Sequence, residues 1–388
     1  MMKLIEITGK ALAGEWGKDD ETGDGIFVLR TTNFTNEGVI NYKNVVTRKI
    51  TKKNITEKYL QYGDIIIEKS GGSDKQPVGR VVYFDGPDSM FLFNNFTGVL
   101  RIQDKERWEP KYIFYSLFAN YLVGGTRKFE NRTTGLHNLQ TDKYINQFSI
   151  FEKKIGEQRR ICELLDKMKK IIEFKRQQII ELDILVKARF IEMFGGITDK
   201  TTLSRYISAL IAGKSVAGNE ECKNKVLKTG SVSYNYFNGK DVKNLPLDYY
   251  PSKEHLVQAR DVIISRMNTK ELVGAAGYVW SVPNDIYLPD RLWKAILMPN
   301  CSPIFIWQLL IGKEVKMEIQ KIASGTSGSM KNISKVRLLE IEVVKVPLNL
   351  QNDFADFVKK IEKTKTKIQS SLNETQTLFD SLMQKYFG

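Results

Sequence analysis

Two stretches of this sequence lie on each other without a gap. Gln158 stands 37 residues before Gly195, and Gln351 stands 37 residues before Gly388. In the first stretch Ile161, Leu165, Met168, Ile172, Ile179, Leu182, Val186 and Met193 follow a 4-3 spacing, interrupted by Lys175 and Arg189. In the second, Phe354, Val358, Ile361, Ile368, Leu372, Phe379, Leu382 and Tyr386 take the corresponding positions, interrupted by Lys365 and Thr375. Apolar side chains repeated this way over about five heptads form a coiled-coil seam. Each predicted helix has roughly 36 residues and a length of about 54 Å. A compact domain of about 150 residues is only about 30–40 Å across, so two such helices in one chain most simply pack on each other. The polar interruptions fall at different positions in the two copies, which permits that pairing. Gly195 and Gly388 sit where a glycine cap belongs, and Pro347 suits a turn into the second helix.

The repeat extends upstream in looser form. The segment Gly63–Ser70 (GDIIIEKS) is matched by Arg260–Met267 (RDVIISRM), and Val28–Phe34 (VLRTTNF) by Val226–Val232 (VLKTGSV). Residues 78–84 and 273–280 are short, glycine-led and strand-like. The stretches YIFYSLFANYL and PIFIWQLLIGKEV read as apolar helices. Polar loops follow at 124–139 and 322–333, closing on Asn138-Leu139 and Asn332-Ile333. The expected fold is α+β: two mixed α/β domains (1–153 and 197–346) joined by two long coiled-coil helices (154–196 and 347–388) as an internal repeat. The globular parts differ between copies far more than the helices do.

Among 388 residues, 59 Lys and Arg stand against 45 Asp and Glu, a net charge of +14. That balance favours a polyanionic partner, because clustered cations release condensed counterions on binding. The opening MMKLIEITGKALAGEW lacks the apolar core of a signal peptide. No run approaches the roughly 20 apolar residues that span a bilayer; the charge by itself suits nucleic acid or an acidic membrane surface, and the expected partner is nucleic acid, with no membrane. Cys162, Cys222 and Cys301 are widely spaced and odd in number, which indicates neither a disulfide framework nor a CxxC metal site. The expected compartment is the cytoplasm.

Residues with the chemistry of catalysis are sparse. His137 and His255 have no spaced partners for zinc, and no Ser/His/Asp or Cys/His set stands out. The glycines of 70–79 form no P-loop, and no dinucleotide fingerprint follows a strand. A loose nuclease pattern occurs twice, as Pro289-Asp290 with Glu314-Val315-Lys316 and as Pro87-Asp88 with Glu109-Pro110-Lys111. Its mechanism places the second acid and the lysine on a strand. Here Glu314 and Lys316 lie in a helix-like run, Pro110 splits the other triplet, and the two pairs do not superpose in the repeat.

What remains is binding chemistry. The first polar loop carries Arg127, Lys128, Asn131, Arg132, Thr133 and Thr134; the second carries Ser324, Thr326, Ser327, Ser329 and Lys331. Glycine permits close backbone approach to phosphate, hydroxyls reach phosphate oxygens, and Arg or Asn can read base edges. A second cluster joins Lys69, Lys75 and Arg80 in the first copy, and Arg266, Asn268 and Lys270 in the second. Arg30, His137, Lys228 and Arg291 complete the candidate nucleic-acid contacts.

In this order and spacing the features resemble the specificity subunit of type I restriction–modification systems, over essentially the whole chain. The resemblance rests on the two copies of domain plus long helix, the GDIII and RDVII strands, the Asn-Leu and Asn-Ile pairs, EQRRI and LQNDF at the helix starts, and MFG and YFG at their ends. One departure concerns the residue ahead of each helix. The family often has proline there, and the first copy has Lys154 where the second has Pro347. The resemblance implies a non-catalytic reader of double-stranded DNA. Each globular part would be a target-recognition domain contacting one half of a bipartite, asymmetric site. The long helices would pack antiparallel, which gives the internal repeat pseudo-twofold symmetry, sets the spacing and docks two methyltransferase subunits that carry S-adenosylmethionine and methylate adenine. A restriction subunit using ATP and Mg²⁺ would join through that complex. Half-sites would then lie about 34 Å apart, one helical turn.

Overall fold

The computed structural model describes residues 1–52, 54–133, 136–325 and 330–388. Its longest elements are two helices of 40 residues, Ile155–Phe194 and Leu348–Phe387. The chain divides into two compact units: residues 1–176 with 371–388, and residues 177–370. Unit 1 therefore contains the first globular part, the start of the first long helix and the end of the second. Unit 2 contains the second globular part with the remaining portions.

The two globular parts share one topology. In unit 1 a four-stranded antiparallel sheet runs in the order Leu12–Ala13, Thr97–Leu100, Ile65–Glu68, Val81–Tyr83. In unit 2 the order is Ile207–Ala212, Leu292–Leu297, Val262–Ser265, Ala276–Tyr278. The GDIII and RDVII segments thus supply equivalent central strands. Ile65–Ile67 and Val262–Ile264 are buried on both faces, which explains why they read as unbroken apolar runs rather than alternating ones. The apolar helix Pro110–Leu122 packs on the unit 1 sheet. Its counterpart is split at Gly312 into Pro303–Ile311 and Lys313–Ile322. A two-stranded pair closes each part just ahead of its long helix: Met2–Lys3 with Ser149–Ile150, and Lys200–Thr202 with Glu342–Val344.

Both long helices begin at equivalent positions, although Lys154 precedes one and Pro347 the other. The Lys154 carbonyl accepts from the Glu157 and Gln158 amides at 2.8 and 3.1 Å, and the Pro347 carbonyl accepts from the Gln351 amide at 3.1 Å. Proline's missing N–H removes nothing at a helix start, so the substitution leaves the geometry unchanged.

Gln158 and Gln351, where the gapless repeat begins, are both fully buried. The Gln158 amide group donates to the carbonyls of Arg107 and Lys153 (2.9 and 2.8 Å), and its oxygen accepts from the Glu109 amide (2.9 Å). Gln351 donates to the Val346 carbonyl (2.8 Å) and accepts from the Ser302 amide (3.0 Å). Glu109 and Ser302 are the N-cap residues of the two apolar helices. Each glutamine therefore ties its own long helix to the apolar helix of its own globular part.

The phenylalanines of the two FG endings make a different bond. In unit 2 Phe194 is buried against Phe305 and Phe354, with ring centroids 5.2 and 5.5 Å apart. In unit 1 the Phe387 ring stands 5.1 Å from Tyr112. Tyr112 and Phe305 are each the third residue of their apolar helix. Each long helix starts on its own copy and ends on the apolar helix of the other.

Seam residues behave as their spacing requires. Ile161, Leu165, Met168, Ile172, Val186, Phe354, Val358, Leu372 and Phe379 are buried; Ile179, Leu182, Ile361, Ile368 and Leu382 are half-buried. Within unit 2, Asp183 accepts from Lys365 (2.6 Å), Arg189 lies over Phe357 (5.8 Å) and Phe190 meets Phe354 (5.4 Å). Partners descend along one helix as positions ascend along the other, so the segments run antiparallel. In unit 1 the ammonium of Lys175 donates to the Ser371 carbonyl and hydroxyl and to the Thr375 hydroxyl, at 3.0, 2.7 and 2.7 Å. Two interruptions of the seam thus meet each other. Among the described residues no helix is long and apolar enough to cross a membrane.

Candidate nucleic-acid interface

In unit 1 the polar loop forms a hairpin, Glu130–Thr133 with Leu136–Leu139, whose second strand pairs with Ser70–Gly72. This sheet carries Asn131 and His137 of the candidates, and Lys69 immediately precedes its Ser70–Gly72 strand. Their side chains then part company. His137 is buried, with Nδ1 2.9 Å from the Glu130 carboxylate and Nε2 3.6 Å from that of Asp74. The same Glu130 carboxylate accepts from the Val78 amide at 3.0 Å. His137 is therefore part of the hairpin's interior rather than of its surface.

Arg80 is committed in the same way. Its guanidinium donates to the carbonyls of Thr31 and Phe34 (3.0 and 3.1 Å) and to the buried Glu68 carboxylate (3.1 Å). Burial raises the Glu68 pKa, and Arg80 opposes that shift. Such a pair anchors loops well and leaves little with which to contact a ligand, since breaking it strands a buried charge. Lys69 is half-buried, its pKa lowered by burial and partly restored by Asp142. Arg30 is half-buried and reaches the Asn44 carbonyl at 3.4 Å, and Arg127 reaches the Asp74 carbonyl at 3.1 Å. Lys75, Lys128 and Asn131 are exposed, with the Lys128 ammonium 5.2 Å from the Phe129 ring centroid.

In unit 2 the strand Met267–Asn268 pairs with Lys331–Asn332, joining both candidate clusters. Asn268 donates to the Ser233 and Ser265 hydroxyls (3.3 and 3.5 Å) and accepts from the Thr269 amide (2.9 Å). Arg266 lies over the Trp293 ring at 5.7 Å and donates to Asn332 at 3.4 Å. Lys331 donates to the Gly325 carbonyl at 3.0 Å, and Ser324 bridges Asn332 through the backbone. Lys228, Lys270 and Arg291 are exposed. The candidates Thr134, Thr326, Ser327 and Ser329, and the side chains of Arg132 and Thr133, lie outside the described residues.

Several surface features of unit 2 had no signal in the repeat. Tyr234 and Tyr250 are each 88% exposed. Tyr234 precedes Asn235, whose φ of 60° makes a tight left-handed turn pinned by the Trp307 indole N–H on the Asn235 carbonyl (3.2 Å). Lys243 lies opposite Val226 in the strand pair Lys225–Leu227 with Val242–Asn244. The alternation Val242-Lys243-Asn244 hinted at an outward lysine there.

The residues of the loose nuclease pattern are scattered. Glu314 and Lys316 are on the helix Lys313–Ile322, and the Lys316 ammonium donates to the Val273 carbonyl at 2.7 Å. Asp290 is bonded to the Ser215 hydroxyl. In unit 1 Lys111 pairs with Asp166 at 2.6 Å, and Asp88 accepts from the Tyr62 amide at 2.5 Å.

No family model matches the sequence. Solved structures that align with the whole chain include two with TM-scores above 0.5. One is the S subunit of a type I restriction–modification system from M. genitalium, with a TM-score of 0.58 at 15% identity, covering 100% of this chain and 95% of that one. The other comes from a study of complex assembly and conformational transition in a type I system, with a TM-score of 0.57 at 12% identity and coverage of 100% and 96%. The chain has the type I specificity-subunit fold. A sequence likeness points the same way. The specificity subunit of the type I restriction enzyme EcoEI from Escherichia coli is 24% identical over 162 residues, 40% of this chain. That match spans about a quarter of the curated relative's own length, 27%. The candidate contacts read from the sequence all lie in the globular parts, while the long helices contribute the seam and carry exposed cations of their own, among them Arg159, Lys167, Lys360 and Lys367.

Proposed function

We infer that this chain is the non-catalytic DNA-reading subunit of a type I restriction–modification complex in the cytoplasm. The observation that carries the reading is the whole-length match to a duplicated fold whose globular parts differ in their exposed polar groups. Each globular part reads one half of a bipartite site, and because the exposed groups differ, the half-sites differ. The paired long helices set the spacer and dock two methyltransferase subunits. S-adenosylmethionine belongs to those partners, and ATP and Mg²⁺ to a restriction subunit that joins through them.

Mapping methylated bases in a strain with and without this chain tests the reading. An adenine-methylated bipartite motif is expected to vanish on deletion; an unchanged map overturns the proposal. With the motif known, Lys128→Ala with Asn131→Ala should relax the first half-site alone, at about 1–3 kcal/mol per lost base contact. Removing one heptad from both long helices should change the spacer and leave both half-sites legible. The competing nuclease reading makes the opposite forecast, namely Mg²⁺-dependent cutting of plasmid by the purified chain, abolished by Asp290→Ala.

A further inference from the structure

A cleft of about 370 Å³ opens on unit 2 between the loop at 213–217, the strand pair Lys225–Leu227 with Val242–Asn244, and the turn at 289–291. Lys228, Lys243 and Arg291 line it, all exposed, together with Ser215 and Thr229. Among the described residues, no hydrogen bond or ion pair engages the head group of Lys243 or Arg291, and Lys228 has only a 3.5 Å pair with Asp241. The one carboxylate of the lining, Asp290, is bonded to the Ser215 hydroxyl. Val216, Val226 and Pro289 make an apolar wall. Two close backbone contacts hold the walls together. The Gly213 amide donates to the Pro289 carbonyl at 3.0 Å, and a Cβ at Gly213 would fall 1.8 Å from the Leu288 carbonyl oxygen.

The repeat supplies an internal control. Strand register makes Val46 of unit 1 the counterpart of Lys243, because Val46 faces Val28 as Lys243 faces Val226. Phe96 is the counterpart of Arg291: the carbonyl of each accepts from the residue that follows the central strand, Lys69 or Arg266. At Lys228's place stands Arg30, turned onto the Asn44 carbonyl. The shared fold therefore does not require three cations here. Gathering like charges around an open cleft opposes folding unless an anion answers them. The volume lies within the range of small-molecule sites, where apolar walls and a few convergent polar groups are the rule.

We propose that this cleft seats one phosphorylated nucleotide unit. Its phosphate sits among Lys228, Lys243 and Arg291, its sugar or base lies along the Val216, Val226 and Pro289 wall, and Asp290 accepts a hydrogen bond from it. The unit is either a nucleotide of bound DNA or a free one. Only the first source rests on the DNA-reading function proposed above.

Two variants of the full chain test it, with dAMP and a random-sequence DNA duplex as probes. Ser215→Trp fills the cleft at constant charge, and Lys243→Gln with Arg291→Gln removes two cations from the surface. Lys253→Gln, another exposed lysine of unit 2, is the control, and unchanged thermal melting verifies folding. Both cleft variants are expected to weaken dAMP binding at least tenfold, with the control unaffected. If they also weaken the duplex, and the double variant flattens the salt dependence by roughly one unit per cation, the source is DNA. If duplex binding is unmoved, the source is a free nucleotide. A wild-type chain that binds no dAMP and whose duplex affinity survives Ser215→Trp overturns the cleft while leaving the DNA reading intact. If the chain binds no random-sequence duplex, the dAMP arm decides the cleft and the methylation map decides the DNA reading.

Discussion

The two copies agree where globular part meets long helix and disagree on the surfaces that face solvent. At the junction, Gln158 and Gln351 are both buried and bind equivalent backbone groups, and Tyr112 and Phe305 receive Phe387 and Phe194 at nearly equal distances. On the surface, Val46, Phe96 and an inward-bonded Arg30 stand where unit 2 has Lys243, Arg291 and Lys228. The difference is physical. Buried backbone donors and acceptors at a helix start have no water to fall back on, so few side chains can serve there. A solvent-facing position has no such demand and is open to whatever a ligand requires.

The largest expected effect breaks the agreement at its most buried point. Phe194→Ala removes a ring enclosed by Phe190, Phe305 and Phe354, at about 3–5 kcal/mol. Phe387→Ala should cost roughly half as much, because Phe387 is only half-buried and less apolar surface returns to water. Urea unfolding of both variants checks this; equal costs would show that the two endings are not docked as their burial indicates.

Next come the glutamines. Gln158→Leu leaves the Glu109 amide and two carbonyls without partners, and Gln351→Leu leaves the Ser302 amide and one carbonyl. About 1–3 kcal/mol is expected for each variant, with Gln158→Leu the costlier. A silent Gln351→Leu would mean the second tie adds nothing to what Phe354 already holds.

The helices, central strands and apolar helices were legible in the sequence because each follows from a period. The 4-3 stripe gave the long helices, and the buried runs Ile65–Ile67 and Val262–Ile264 gave matching strands. The glutamines marked where the repeat begins, but spacing alone could not say that they bind helix caps of their own copy. Nor could it say that each FG ending docks on the other copy, since that depends on tertiary packing. Candidate contacts were the least legible part. Arg80 and His137 have the composition of ligand-binding residues, yet both are consumed by internal partners, Glu68 and Glu130. Lys243 carries no motif, and only the register opposite Val226 brings it to the cleft.

An effect of similar or smaller size should separate the junctions themselves, because the copies differ about two turns further along the long helices. Asp166 accepts from the Lys111 ammonium and the Tyr115 hydroxyl, both at 2.6 Å. Burial, followed by this carboxylate, pushes the Tyr115 phenol up, so the hydroxyl stays a donor. The gapless repeat puts Lys359 at the equivalent place in the second copy, where its ion pair is with the exposed Asp356, three residues back. The apolar helix of unit 2 offers it Ile304 and Gln308 where unit 1 has Lys111 and Tyr115. Asp166→Leu should therefore destabilise unit 1 by about 1–3 kcal/mol, chiefly by leaving the nearly inaccessible Tyr115 hydroxyl and the Lys111 ammonium without an acceptor. Lys359→Leu should fall within about 0.5 kcal/mol of wild type. Hydrogen exchange read separately over the two apolar helices distinguishes the cases. Faster exchange confined to Pro110–Leu122 in the Asp166 variant is the expected result. Equal, small effects from both variants would mean that the seam and the glutamine ties hold unit 1 without the carboxylate.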